Sequence, residues 1–230
     1  MDEVPTHCGH LLEHRLMKSL RKTSPAHGLQ LQETERAAPR EGEVLIRVKA
    51  TGVCGTDLHI DEWTPSYHFM APALPVTIGH EFSGEVAELG AGLSGLHIGQ
   101  RVTVRPSVVC GVCPACAAGQ PDACVTRRGI GVMRDGAFAE WVRVPARNCV
   151  AVPQSLDPLV AALAEPLSVS WEAVRTAGVQ AGEMPPKSAD QPTAAERTQA
   201  VATLAKALTA AGSRSAAIAF TRFTARPPQN

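Results

Sequence analysis

Short β-branched runs dominate the first two-thirds of the chain, and helical periodicity takes over only near residue 157. Residues 43–50 (EVLIRVKA) form a compact strand pattern, and further strands are predicted over residues 82–89, 100–104 and 138–144. Turns bearing Gly and Asp, such as residues 90–92 and 135–136, separate them. Many short strands with this punctuation predict a closed or nearly closed β-barrel-like domain, mainly β with a few helices. Asp157 then offers an N-cap with Pro158 at the first helical position, and Leu159, Val160 and Leu163 make an apolar face. Pro166 is expected to end that helix just after Glu165. A second helix is predicted over roughly residues 168–177, closed by Gly178 as a left-handed cap.

The flanks read differently. Residues 1–16 form an N-terminal extension without a core signal, and their His7, Cys8, His10 and His14 are weak grounds for a metal site. The folded domain is expected over residues 17–182. Beyond it, residues 183–230 are a divergent tail, polar and Pro-rich at first. Thr193 and Glu196 make a capping box there, and Val201, Leu204, Ala205 and Leu208 fall on one helical stripe ended by Gly212. A strand over residues 216–220 fits the last apolar run.

Composition narrows the function classes. The 230 residues, 44% hydrophobic and 19% charged, can bury an ordinary core. Lys+Arg and Asp+Glu are equal at 22 each, which argues against nucleic acid as a partner. No apolar run approaches a membrane span. The start, MDEVPTHCGHLLEHRL, lacks the basic-then-apolar pattern of a secretory signal, so the expected location is cytoplasmic.

The strongest chemical signal is Cys110, Cys113, Cys116 and Cys124, spaced C-x2-C-x2-C-x7-C among small residues and turn formers. Four thiolates so close together can surround one tetrahedral cation and leave no open position, as a structural zinc site requires. The loop has too little apolar bulk to fold alone, so the metal would supply its missing core. An iron–sulfur run would close with a three-residue gap and Cys-Pro, whereas seven residues precede Cys124 and Val125 follows it. Disulfides between neighbouring C-x-x-C pairs would be strained. Cys149, outside the cluster, reads as a small apolar residue.

A second set of ligand types lies upstream: Cys54 in GVCGTDLHI and His80–Glu81 in IGHEFSGEV, with Glu165 in AEPLSVS far along the chain. Singly, each has an ordinary structural explanation. In order, however, GxxCGTDxH, PxxxGHExxGxV, GxRV, the four-Cys loop, GxFAEW and EPL resemble the zinc-containing medium-chain dehydrogenases, most closely the threonine and polyol dehydrogenase branch. The resemblance covers about residues 17–182. It implies a GroES-like, partly open β-barrel with a four-Cys zinc lobe and two zinc ions per chain. The catalytic zinc would be held by Cys54, His80 and a carboxylate, with Glu81 and Glu165 as alternatives. Asp57 would orient the His80 ring, and Arg101 would pair with a mobile ligand carboxylate. Zinc would act as a Lewis acid on a substrate alcohol or polyol, with Thr56 and His59 as the proton relay and NAD or NADP as hydride acceptor.

One family feature is missing from the sequence. After Glu183 no G-x-G-x-x-G turn opens a helix, so the Rossmann domain is expected to be absent through truncation or a shifted reading frame. Nicotinamide binding and turnover are then not expected of this chain. An exposed cleft would favour association or a homo-oligomer. The alternative function is a non-catalytic zinc-binding interaction module. A zinc-free quinone reductase relative fits poorly beside the two Cys-bearing sets.

Overall fold

A computed structural model describes residues 16–176 and 218–220. The histidines of the extension and the expected helix around Val201–Leu208 lie outside the described residues. The strands in chain order are β1 (Leu16–Lys22), β2 (Gln30–Glu35), β3 (Glu43–Val53), β4 (Val76–Thr77), β5 (Phe82–Leu89), β6 (Arg101–Val104), β7 (Ser107–Val108), β8 (Arg128–Gly129), β9 (Trp141–Pro145), β10 (Cys149–Ala151) and β11 (Ile218–Phe220). The α-helices are α1 (Gly55–Glu62), α2 (Pro114–Ala117), α3 (Pro158–Ala162) and α4 (Ala164–Thr176). No described helix is long and apolar enough to cross a membrane.

β3 organises the main sheet, whose order is β10-β6-β5-β3-β11 with β9 also on β3. Its β-branched residues suit a strand with neighbours on both edges. Val44 and Ile46 pack with Phe82, Val86, Val102, Val104, Val142 and Val144, all nearly inaccessible. β5 runs antiparallel along one edge, with Thr51 opposite Phe82 at the far end. β9 covers Glu43–Arg47 on the other edge, and β11 lies parallel against Thr51–Val53. The expected strand at the chain's end is therefore present as its last three residues.

A smaller sheet, β2-β1-β4, joins the large one through residues 137–139. The Phe138 N–H donates to the Ile78 carbonyl, and the Phe138 carbonyl accepts from Leu20 N–H. That crossing explains why the strand predicted from residue 138 begins at Trp141: its first residues serve the other sheet. The outcome is a set of open sheets, the partly open GroES-like architecture rather than a closed barrel. β1 and β2 escaped prediction because the edge strand QLQETE is polar and largely exposed.

Two helix expectations need correction. Pro166 does not end a helix but sits in the first turn of α4, where its missing N–H has no intrahelical partner to lose. The break falls at Leu163 instead, and α4 starts four residues before the predicted 168. On α3 the buried residues are Ala161 and Ala162, while Val160 is exposed, so the apolar face is rotated from the expected one. The Asp157 cap holds: its carboxylate accepts from Leu159 N–H at 2.7 Å. Ser83 Oγ donates to the Pro158 carbonyl at 2.6 Å and ties α3 to β5.

Candidate metal centres and cleft

Antiparallel pairing of β3 with β5 brings the first candidate centre together. Because Thr51 faces Phe82, the residues that leave β3 and those that enter β5 are neighbours. Cys54 leaves β3 as the N-cap of α1, and His80 and Glu81 enter β5. Their ligand atoms lie within 4.8 Å of one another. His80 and Glu81 are buried. Gly52 makes room for the carboxylate, since a Cβ there would collide with Glu81 Oε2. The Glu81 carbonyl accepts from Gly52 N–H at 2.6 Å and from Thr51 Oγ1 at 3.0 Å, which fixes the backbone beneath the side chain.

Asp57, buried in the first turn of α1, has two roles. One carboxylate oxygen accepts from Cys54 N–H at 2.9 Å and caps the helix. The other lies 3.8 Å from His80 Nδ1, and neither atom has a hydrogen-bond partner among the described residues. Glu81 Oε2 is likewise buried and unpartnered. Buried polar atoms left unpaired are costly, so an unpartnered Glu81 Oε2 beside Cys54 and His80 fits a site built for a cation.

The electrostatics agree. Burial raises the Asp57, Glu81 and Glu165 carboxyls above their ordinary range, with the His80 charge opposing each shift. Burial alone would lower His80. The Cys54 hydrogen bond and the charges of Asp57, Cys54 and Glu165 outweigh it and lift the imidazole to about 9. The field at this point is anionic and attracts positive charge. Glu165, half-buried in the first turn of α4, contributes to that field but is not one of the three converged ligands. Arg101 lies elsewhere than expected. It donates to the carbonyls of Gln154 and Leu156 at 2.7 and 2.6 Å and reaches Glu85 at 3.4 Å, with no bond to Glu81 or Glu165.

The four cysteines form the second centre, with all ligand sulfurs within 4.8 Å. Cys110 Sγ lies 3.9 Å from Cys116 Sγ and 3.7 Å from Cys124 Sγ. A tetrahedron with metal–sulfur bonds near 2.3 Å has edges of about 3.8 Å, whereas a disulfide would bring sulfurs to about 2 Å. The spacing fits a shared tetrahedral cation. Backbone N–H groups support the thiolates: Cys113 N–H donates to Cys110 Sγ at 3.3 Å, and Cys110 N–H to Cys124 Sγ at 3.4 Å. Such donors, with the Thr126 hydroxyl, lower the Cys110 and Cys124 thiols. Cys149 lies apart, packed against the core, its thiol pushed up to about 12 by burial.

A cavity of about 420 Å³ is lined by His80, Thr56, Tyr67, Ile130, Met133 and Arg127, among others. Tyr67 was not singled out in the sequence, although it is the chain's single tyrosine. Its hydroxyl donates to Thr56 Oγ1 at 3.0 Å. Its ring stacks on His59 with centroids 6.0 Å apart, and His59 is exposed, its Nδ1 3.9 Å from Glu62. A larger cavity, about 840 Å³, is lined by Arg47, Leu58, Phe138 and Trp141 and includes none of the three ligands. Size does not mark the chemistry here; the unpaired ligand atoms do.

Residues 40–154 match the alcohol dehydrogenase GroES-like domain. The chain is 44% identical over 159 residues to L-threonine 3-dehydrogenase of Pyrococcus abyssi, covering 69% of this chain and 45% of that one. Its fold is similar to a putative zinc-binding dehydrogenase from Sinorhizobium meliloti bound to NADP, with a TM-score of 0.64 and 37% identity over 73% of this chain and 47% of that one. It is also similar to galactitol-1-phosphate dehydrogenase from Escherichia coli, with a TM-score of 0.63 and 31% identity over 70% and 45% of the two chains. The chain thus spans about half the length of the curated relatives it matches. With the domain match, the converged ligands and the four-Cys lobe together, it belongs to the zinc-containing alcohol dehydrogenase family, alongside the threonine dehydrogenases.

Proposed function

We propose that this chain supplies the metal-binding, substrate-activating part of a nicotinamide-dependent oxidoreductase that acts on the hydroxyl of a small alcohol or polyol. The observation that carries the reading is the convergence of Cys54, His80 and Glu81, with unpaired buried atoms, beside a cavity that also holds Thr56. Zinc held by these three residues would supply Lewis-acid polarisation of the substrate hydroxyl, and NAD or NADP would take the hydride. We assign the third ligand position to Glu81, with Glu165 as a nearby second carboxylate able to exchange with it. Cys110, Cys113, Cys116 and Cys124 would hold a second, structural ion.

The chain's own residues then divide the work. Asp57 Oδ1, 3.8 Å from His80 Nδ1, would orient the ring electrostatically from that side and leave Nε2 for the cation. Thr56 Oγ1 accepts from Tyr67 and keeps a lone pair for the substrate's proton and its own O–H to pass on. His59, stacked on Tyr67 and open to water, hands that proton to solvent. Ile130 and Met133 give the cavity an apolar lining that limits water around the reacting carbon.

The test is metal content and binding rather than turnover, because no Gly-rich strand-to-helix turn occurs among the described residues. Protein prepared with zinc should carry two ions, and Cys54→Ser should carry one while remaining folded. Cobalt substituted at the Cys54 site should give a visible spectrum that shifts when a secondary alcohol is added. A folded chain that binds no ion, or a Cys54→Ser variant that keeps both, would defeat the reading.

A further inference from the structure

Arg127 is the unexplained member of the cleft. Among the described residues that line the 420 Å³ cavity with Thr56 and His80, it is the single permanently charged side chain. Its side chain is half-exposed, and its recorded ion pair is with Asp122, at 3.9 Å. Asp122 is itself fully exposed, so this pair is weak and does not satisfy a five-donor guanidinium.

The backbone around Arg127 is well anchored. Its N–H donates to the Cys124 carbonyl at 3.2 Å, one residue of the four-Cys lobe, and the next residues form β8, paired with β7. Ser107 of β7 and Gly129 of β8 line the same cavity. The lobe therefore fixes the backbone that carries this cation on the cleft wall. The other charged groups nearby, Cys54, His80, Glu81, Asp57 and Glu165, are committed to the candidate metal site.

We propose that Arg127 selects alcohols carrying an oxyanionic group, a carboxylate or a phosphate, by pairing with that group while the hydroxyl faces Thr56 and His80. A planar guanidinium binds either oxyanion through paired hydrogen bonds, and a neutral alcohol of equal size offers it nothing comparable. The proposal rests on the reading of the Cys54–His80–Glu81 site given above and adds the chemical class of its substrate.

Binding to the zinc-loaded full chain tests it, by calorimetry or ligand-observed NMR. The probes are two matched pairs: 3-hydroxybutyrate with butane-1,3-diol, and glycerol phosphate with glycerol. At least one anion should bind about tenfold more tightly than its neutral partner, the scale of one partly solvated charge-assisted contact. The pair that shows the difference identifies carboxylate or phosphate as the preferred group. Arg127→Gln should abolish the difference, the anion falling to the affinity of its neutral partner. Asp122→Asn, which frees the guanidinium, should keep or widen it and guards against a folding defect in the first variant. Equal binding within both pairs, or a preference that survives in Arg127→Gln, overturns the proposal while leaving the metal-site reading intact. If no probe binds the zinc-loaded chain, the proposal falls together with that reading.

Discussion

Replacing Lys22 with Met tests how the helix that carries Cys54, Thr56, Asp57 and His59 is held. Lys22 lies on β1 and is wholly buried, yet its bonding partners among the described residues are carbonyls and not carboxylates. Its ammonium donates to the carbonyls of Ala26, Gly28 (3.2 Å) and Asp61 (2.9 Å) and lies 5.3 Å from the centre of the Trp63 ring. Asp61 is in the last turn of α1, and Trp63 is its left-handed cap, so Lys22 ties the helix's C-terminal end to the first hairpin. Burial lowers its pKa, and the Asp61 charge partly opposes that shift.

Two effects compete in the Met variant. Removing a buried charge relieves desolvation, and replacing both partners of a buried ion pair by apolar groups is often neutral or stabilising. Here the carbonyl partners remain, so the relief is offset by oxygens left without a donor, at about 1–3 kcal/mol for each one that stays dry. Ala26 is exposed and can recruit water, and the Asp61 carbonyl keeps the Gly28 N–H at 2.9 Å. The Gly28 carbonyl and the cation–π contact are the real losses. A net destabilisation of about 2 kcal/mol follows. Urea unfolding of zinc-saturated protein at neutral pH measures it. A Lys22→Met protein as stable as the parent would refute the reasoning.

Three further outcomes are expected. Cys113→Ser should give insoluble or misfolded protein, judged by soluble yield and near-ultraviolet circular dichroism, because the loop has no other core; a fully folded variant would contradict that role. Gly52→Ala should lower metal affinity at the Cys54 site by about tenfold or more, the scale of disturbing a ligand's immediate support, and leave the four-Cys ion in place, as metal-competition titration can show. Glu85, held below its ordinary range first by its Lys49 hydrogen bond and then by Arg101, contributes stability that is present above about pH 4.5 and lost as pH falls through its lowered value. The parent should therefore lose its small advantage over Glu85→Gln, no more than about 1 kcal/mol, on going from pH 5 to pH 3.

The sequence was most legible where the chemistry is local. The four-Cys spacing needs one loop, and β5 was placed to the residue because its apolar alternation and bounding glycines are local too. Cys54 is separated from the adjacent His80 and Glu81 by more than two dozen residues, and the β3–β5 register brings them together; ordered resemblance, not periodicity, pointed to them. Arg101, which the resemblance paired with a mobile ligand carboxylate, shows what an ordered motif set leaves out. Its partner Glu85 is directly opposite on the neighbouring strand, so the register decides the pairing before any ligand carboxylate can compete. Lys22 and Tyr67 gave no signal, because a lysine in a strand reads as surface and a tyrosine among SYHF reads as packing. Their roles come from carbonyls and a hydroxyl supplied by other segments.

The four-Cys lobe is more than a separate module. Val112 and Val125 within it are almost fully exposed, and Cys124 is its one buried hydrophobic residue among those described, so apolar burial cannot hold it together. A cation shared by four thiolates can, and its binding energy is then folding energy for everything the lobe anchors. What it anchors is the β7–β8 hairpin, one wall of the cavity that opens on His80 and Thr56, with Arg127 at its edge. Loss of that ion, as in Cys113→Ser, should therefore unfold the cleft wall and cost solubility, even though the positions of Cys54, His80 and Glu81 are set by the strand register. The two centres are thus coupled through the shape of the substrate cavity, although no ligand residue is shared between them.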